Sequence, residues 1–154
     1  MFTPLAIRHI RKELDLPGGG DTLRIRMATP ANIARRILVV DDEPLICESI
    51  TRILDLDKHV VETAGSAQEA LALFQAGKFD VIIIDYDMPV MKGDKLASAI
   101  KALAPQQPII MVTAHGESLR LAGTYPLAVE RVISKPFDLQ EFRDIVQELT
   151  RKSS

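Results

Sequence analysis

The chain has 154 residues, 47% of them hydrophobic and 26% charged, with a formal net charge of −2, an ordinary globular mixture for one domain and a short appendage. A single cysteine, Cys47, excludes an internal disulfide, and three scattered histidines with no Cys/His cluster exclude a zinc site of the usual kind. No apolar run approaches the roughly 20 residues of a membrane span, and Arg8, His9, Arg11 and Lys12 interrupt any signal-peptide core, so a cytoplasmic protein without membrane association is expected.

Residues 1–36 hold seven Arg/Lys against three Asp/Glu, and the remainder twelve against eighteen, so a basic tail precedes an acidic body. The tail lacks aromatic interleaving, which favours a solvated segment over a nucleic-acid arm. Within it Ile7, Ile10 and Leu14 suggest a short amphipathic helix, Pro17 to Gly20 a linker, and Leu23, Ile25 and Met27 a strand-like alternation. Residues 1–35 are therefore expected to be an extension, disordered or loosely docked, with Met27 as an alternative start.

From Arg36 onward short apolar runs alternate with helical patterns, the signature of a parallel sheet with crossover helices. Ile37 to Val40 reads as a strand buried on both faces and stops at Asp41 and Asp42. Pro44 suits the first turn of a helix that buries Leu45, Ile46, Ile50, Ile53 and Leu54. His59 to Ala64 reads as a second strand. Ser66 caps a helix with Glu69 in capping-box register and Ala70, Leu71 and Phe74 facing inward, and Gly77 ends it.

Val81 to Ile84, the most apolar strand, is expected to be central and stops at Asp85. A third helix spans Lys92 to Leu103, after which Ile109 to Val112 forms a strand ending at Thr113. Glu117 to Ala122 is expected to form only a short helix, since Gly123 and Pro126 interrupt it. Arg131 to Ser134 makes a fifth strand ending at Lys135, and Asp138 caps a final helix that buries Phe142, Ile145, Val146 and Leu149. The body of alternating strands and helices is placed at residues 36–151, with 152–154 as a tail.

In an open parallel α/β sheet the strand carboxyl ends lie along one edge, where ligand sites form. That brings Asp41, Asp42, Asp85, Thr113 and Lys135 together. Three carboxylates in one space either share a proton or hold a cation. Oxygen ligands without His or Cys select a hard ion such as Mg²⁺, with Mn²⁺ as a substitute. Lys135 and Thr113 supply donors for a phosphoryl group, and a carboxylate of Asp85 can attack phosphorus to form an aspartyl phosphate.

These motifs, Ile37-Leu-Val-Val-Asp41-Asp42-Glu-Pro, Val81-Ile-Ile-Ile-Asp85-Tyr-Asp-Met88-Pro89, Thr113-Ala114 and Lys135-Pro136-Phe137, resemble the response-regulator receiver domains of two-component signalling, from about Arg36 to Arg151 and with order and spacing intact. The resemblance implies a flavodoxin-like receiver fold: a doubly wound five-stranded parallel sheet of order 2-1-3-4-5. It implies Asp85 as phosphoacceptor, served by a histidine kinase or histidine phosphotransfer protein. Asp42, Asp85 and the Asp87 backbone carbonyl would hold Mg²⁺, with Asp41 acting through water. Thr113 and Lys135 would contact the phosphoryl oxygens, and the Lys135–Pro136 peptide would be cis.

Ala114, His115 and Val132 fall in the implied switch region. Val132 stands where the family commonly has an aromatic, and Gly123 and Pro126 interrupt the neighbouring helix, so phosphorylation is expected to order residues 116–128 rather than rotate a ring. A protein partner or phosphorelay is the expected output, as monomer or phosphorylation-dependent dimer, with no direct nucleic-acid contact, because the sequence given ends four residues after Thr150. No turnover enzyme is expected, beyond slow hydrolysis of its own aspartyl phosphate. The alternatives are a haloacid-dehalogenase-like phosphatase using Asp85 and Asp87, and a pseudo-receiver that is never phosphorylated. The first has no use for the Asp41–Asp42 pair, and the second leaves five pocket residues unexplained.

Overall fold

A computed structural model describes residues 33–123 and 128–152. The readings made for residues 1–32, including the helix, the linker and Met27, lie outside the described residues. Five parallel strands, β1 Arg36–Val40, β2 Val60–Ala64, β3 Val81–Asp85, β4 Ile109–Thr113 and β5 Arg131–Ser134, form one sheet in the order β2-β1-β3-β4-β5. They alternate with helices α1 Pro44–Asp55, α2 Ala67–Ala76, α3 Gly93–Leu103, α4 Gly116–Leu121 and α5 Leu139–Lys152. The expected class, strand order and helices on both faces are all present.

The central strands carry continuous apolar runs, Ile37–Val40, Val81–Ile84 and Ile109–Val112, because both faces are covered. Leu38, Val40, Ile82, Ile84, Ile109 and Met111 pack against Ala67 and Ala70 of α2 and Leu96, Ala97 and Ile100 of α3. Their alternates, Ile37, Val39, Val81, Ile83, Ile110, Val112 and Ile133, meet Cys47, Ile50 and Leu54 of α1 and Phe142, Val146 and Leu149 of α5. Strand period two thus divides one apolar run between two cores.

The caps follow local chemistry. Glu69 N–H donates to Ser66 Oγ at 3.1 Å, while the Glu69 carboxylate accepts from Gly65 N–H at 2.8 Å, one residue earlier than an ideal capping box would have it. Glu141 N–H donates to Asp138 Oδ1 at 2.9 Å. Leu45 is corrected: it lies exposed, since α1 turns its apolar stripe through Cys47, Ile50 and Leu54 instead. α5 also reaches Lys152, one residue beyond the expected boundary.

Two polar groups are buried far from the strand carboxyl ends. Asp57, after α1, accepts two hydrogen bonds from Arg143 of α5, at 2.8 and 2.5 Å, joining the two helices on one face. Close by, His59 Nδ1 accepts from Arg35 N–H at 3.1 Å, and burial lowers the imidazole's pKa below its usual 6.5. The loop between β3 and α3 is strained: Val90 has φ of 70°, and Met91 N–H donates to Pro89 O at 2.8 Å across it, a conformation costly for a β-branched residue.

Val90 is fully exposed, so Val90→Gly relieves strain without losing packing and is expected to raise stability by about 1 kcal/mol in urea unfolding, less the entropy that glycine costs. His59 supplies a pH test. Its lowered folded pKa contributes stability above the usual value of 6.5, lost as pH falls through that value toward the folded one. Tm measured from pH 7 to pH 5 is therefore expected to drop more steeply for the wild type than for His59→Gln.

Candidate functional site

Register decides which side chains meet. Val40 stands opposite both Ala64 and Ile84, Asp85 opposite Val112, and Thr113 opposite Ser134. The ladder continues past the strand ends: Asp41 N–H donates to Ala64 O at 3.1 Å, Tyr86 N–H to Val112 O at 2.9 Å and Lys135 N–H to Thr113 O at 2.8 Å. The backbones of residues 41, 86 and 135 are thereby held by main-chain bonds, and the polar side chains emerge along one edge of the sheet.

Asp41, Asp42 and Asp85 converge so that one carboxylate oxygen of each lies within 4.8 Å of the others. Asp41 and Asp85 are buried, at 2% and 5% exposure, and Asp42 is exposed. Asp41 Oδ1 accepts from Glu43 N–H at 2.9 Å. Lys135 Nζ enters between the two buried acids, 3.1 Å from Asp85 Oδ1 and 3.5 Å from Asp41 Oδ2. Thr113 is fully buried, and its Oγ1 accepts from His115 N–H at 3.0 Å.

Burial raises the pKa of Asp41, although the Glu43 amide and Lys135 work against it. Burial raises that of Asp85 as well, and the neighbouring Asp41 charge adds to the effect. For Lys135 burial opposes the charge, but the hydrogen bond to Asp85 and the charges of both acids outweigh it, and its pKa rises. One ammonium among three carboxylates leaves net negative charge in a poorly solvated space, which suits a small hard cation bound by oxygen.

Local chemistry places each of these groups. The Lys135–Pro136 peptide is cis, and Phe137 beyond it stacks on the buried Phe142 at 4.9 Å, anchoring the segment that carries the lysine. Gly93 lets α3 begin against the end of β3: a Cβ there would fall 2.3 Å from Asp85 O, while Gly93 N–H donates to Tyr86 O at 2.9 Å. Gly116 similarly lies where a Cβ would meet Ser134 Oγ at 2.2 Å.

The other expected site residues are spread around this centre. Ala114 and His115 are exposed on the β4–α4 connection, and Val132 is partly buried against the core on the α2 and α3 side. The Asp87 carboxylate is absent from the three-acid group. It lies 3.4 Å from Lys92 Nζ and 3.6 Å from His115 Nε2, and Lys92 Nζ also sits 5.7 Å over the Tyr86 ring. In the sequence Lys92 stands only at the start of a helical pattern, and no local signal marks its contact with Asp87.

Residues 37–147 match the family of response regulator receiver domains. The transcriptional regulatory protein TcrA of Mycobacterium tuberculosis is 30% identical over 118 residues, covering 76% of this chain and 46% of that protein. The response regulator MprA of Mycolicibacterium vanbaalenii is 32% identical over 120 residues, covering 77% and 52%. The chain thus spans about half the length of these curated relatives. The crystal structure of the response regulator protein TrrA from Thermotoga maritima, in complex with Mg²⁺ and BeF, superposes with a TM-score of 0.69 at 33% identity, covering 75% of this chain and 98% of that one. Strand order, converging strand ends and sequence agree, and the chain belongs to the response regulator receiver family.

Proposed function

We propose that Asp85 accepts a phosphoryl group from the phosphohistidine of a histidine kinase or histidine phosphotransfer protein. The observation that carries this reading is the placement of Lys135 Nζ 3.1 Å from Asp85 Oδ1 inside a group of three carboxylates. An Asp85 oxygen forms the new bond to phosphorus as the bond from phosphorus to the donor imidazole breaks, and the ring departs with its electron pair. Lys135 turns its ammonium to an equatorial phosphoryl oxygen, and the Thr113 hydroxyl donates to another. Asp41, Asp42, Asp85 and the Asp87 carbonyl are the groups proposed to hold Mg²⁺, which when bound neutralises charge on the phosphoryl oxygens.

Residues 36–151 are proposed to be the whole phosphoaccepting unit, and residues 1–35 an extension to it. The altered state is passed to a protein partner or onward in a phosphorelay, through the surface around α4 and β5. The short α4 and the aliphatic Val132 support a readout through the segment 116–128, of which residues 124–127 lie outside the described residues, rather than by an aromatic ring.

Incubation with acetyl phosphate and Mg²⁺ is expected to add one phosphoryl group by intact mass, removable by hydroxylamine and absent in Asp85→Asn. An unmodified wild type, or a modification that persists in the variant, rejects the assignment.

Charge crowding supplies a second test. A carboxyl whose folded pKa is raised contributes stability below its unfolded value of about 3.8, lost as pH rises through the folded value. At pH 7 without Mg²⁺ the crowding of Asp41 and Asp85 therefore opposes folding. Asp85→Asn is therefore expected to raise Tm under those conditions and to lose most of the Tm increase that Mg²⁺ produces in the wild type.

A further inference from the structure

Asp87 follows the acceptor by two residues, yet its carboxylate faces away from the three-acid group. One oxygen lies 3.4 Å from Lys92 Nζ, at the start of α3, and the other 3.6 Å from His115 Nε2, between β4 and α4. A single side chain thus spans two loops. His115 is tied a second time, since its backbone N–H donates to Thr113 Oγ1 at 3.0 Å. A continuous path runs from the segment behind Asp85, through Asp87 and His115, to the hydroxyl that ends β4.

We propose that the Asp87 carboxylate is a positioning group that latches the Thr113–His115 turn to the acceptor loop, so that Thr113 engages a phosphoryl group on Asp85 only as the Asp87–His115 contact gives way. The proposal rests on the reading of Asp85 as phosphoacceptor. The latch is built to yield: the His115 and Lys92 side chains are more than half exposed and both separations are long for a charge pair, so water screens them. A phosphoryl dianion beside Asp85 repels the Asp87 carboxylate and competes for the same two nitrogen partners, Lys92 Nζ and His115 Nε2. Local geometry favours the exchange, because Gly116 follows His115 directly and packs under Ser134 without a Cβ, leaving the turn to pivot at residues 114 and 115.

Beryllofluoride with Mg²⁺ is the probe, titrated calorimetrically into the wild type, Asp87→Asn, His115→Ala and the double variant. Each single variant is expected to lower the half-saturating beryllofluoride concentration about threefold, and the double variant no further than the stronger single. Simple damage to the fold weakens anion binding and does not reproduce this pattern. Tightening by Asp87→Asn alone, or effects of the two substitutions that multiply, shows that Asp87 acts through its charge without a latch and overturns the proposal, as does weakening in every variant. If the wild type neither binds beryllofluoride nor gains a phosphoryl group, the phosphoacceptor reading fails, and amide exchange in the unliganded protein decides the latch by itself. Faster exchange at His115 and Gly116 in Asp87→Asn than in the wild type supports it, and unchanged exchange overturns it.

Discussion

Like charges are forced together where β1 and β3 end. Asp41 and Asp85 are both buried, Asp42 stands beside them, and the single ammonium of Lys135 lies among them. Such an arrangement opposes folding unless something else holds the strands in register. The two apolar cores do so, since neither core depends on the pocket: Ile37, Val39, Ile82 and Ile84 are buried along the strands, and main-chain bonds carry the register past their ends. The stability of the sheet sustains an electrostatic conflict that a small cation bound by oxygen would relieve.

The support around this conflict is uneven. On the Lys135 side the chain is anchored closely, through the bond to Thr113 O, the Phe137–Phe142 stack and a final helix capped by Asp138. On the Asp85 side Gly93 brings α3 against the end of β3. Beyond Thr113 the anchoring is weaker. α4 has six residues, buries only Gly116 and leaves Leu121 exposed. A local rearrangement meets least resistance there, because few apolar contacts must be broken. Asp85 is thus held in a closely packed frame and bordered by a segment of low packing density.

The surroundings of Asp57 and Arg143 are a separate matter. Their paired hydrogen bonds join the end of α1 to α5 on the face opposite α2 and α3, and because Asp57 is buried, loss of the half-buried Arg143 would leave its charge uncompensated. α5 is therefore held at both its beginning, by Phe142 and the Asp138 cap, and its flank. The Asp57–Arg143 pair thus fastens this helix to the α1 face.

Much of the molecule was legible in the amino-acid order alone. Strand runs, caps such as Ser66 and Asp138, and the polar residue at each strand end are set by neighbours within a few positions, and parallel topology then carries those ends to one edge. Other features were decided only in three dimensions. Periodicity placed Leu45 on the apolar face of α1, but the angle at which the helix meets the sheet leaves it in solvent. The pairing of Lys135 with Asp41, of Arg143 with Asp57, and of Asp87 with Lys92 and His115 joins segments whose approach depends on loop paths and side-chain rotamers. Sequence determined which chemical groups would share the edge of the sheet, because that follows from local patterning. Tertiary structure decided which of them touch, because contact between distant segments is set by packing that no local pattern encodes.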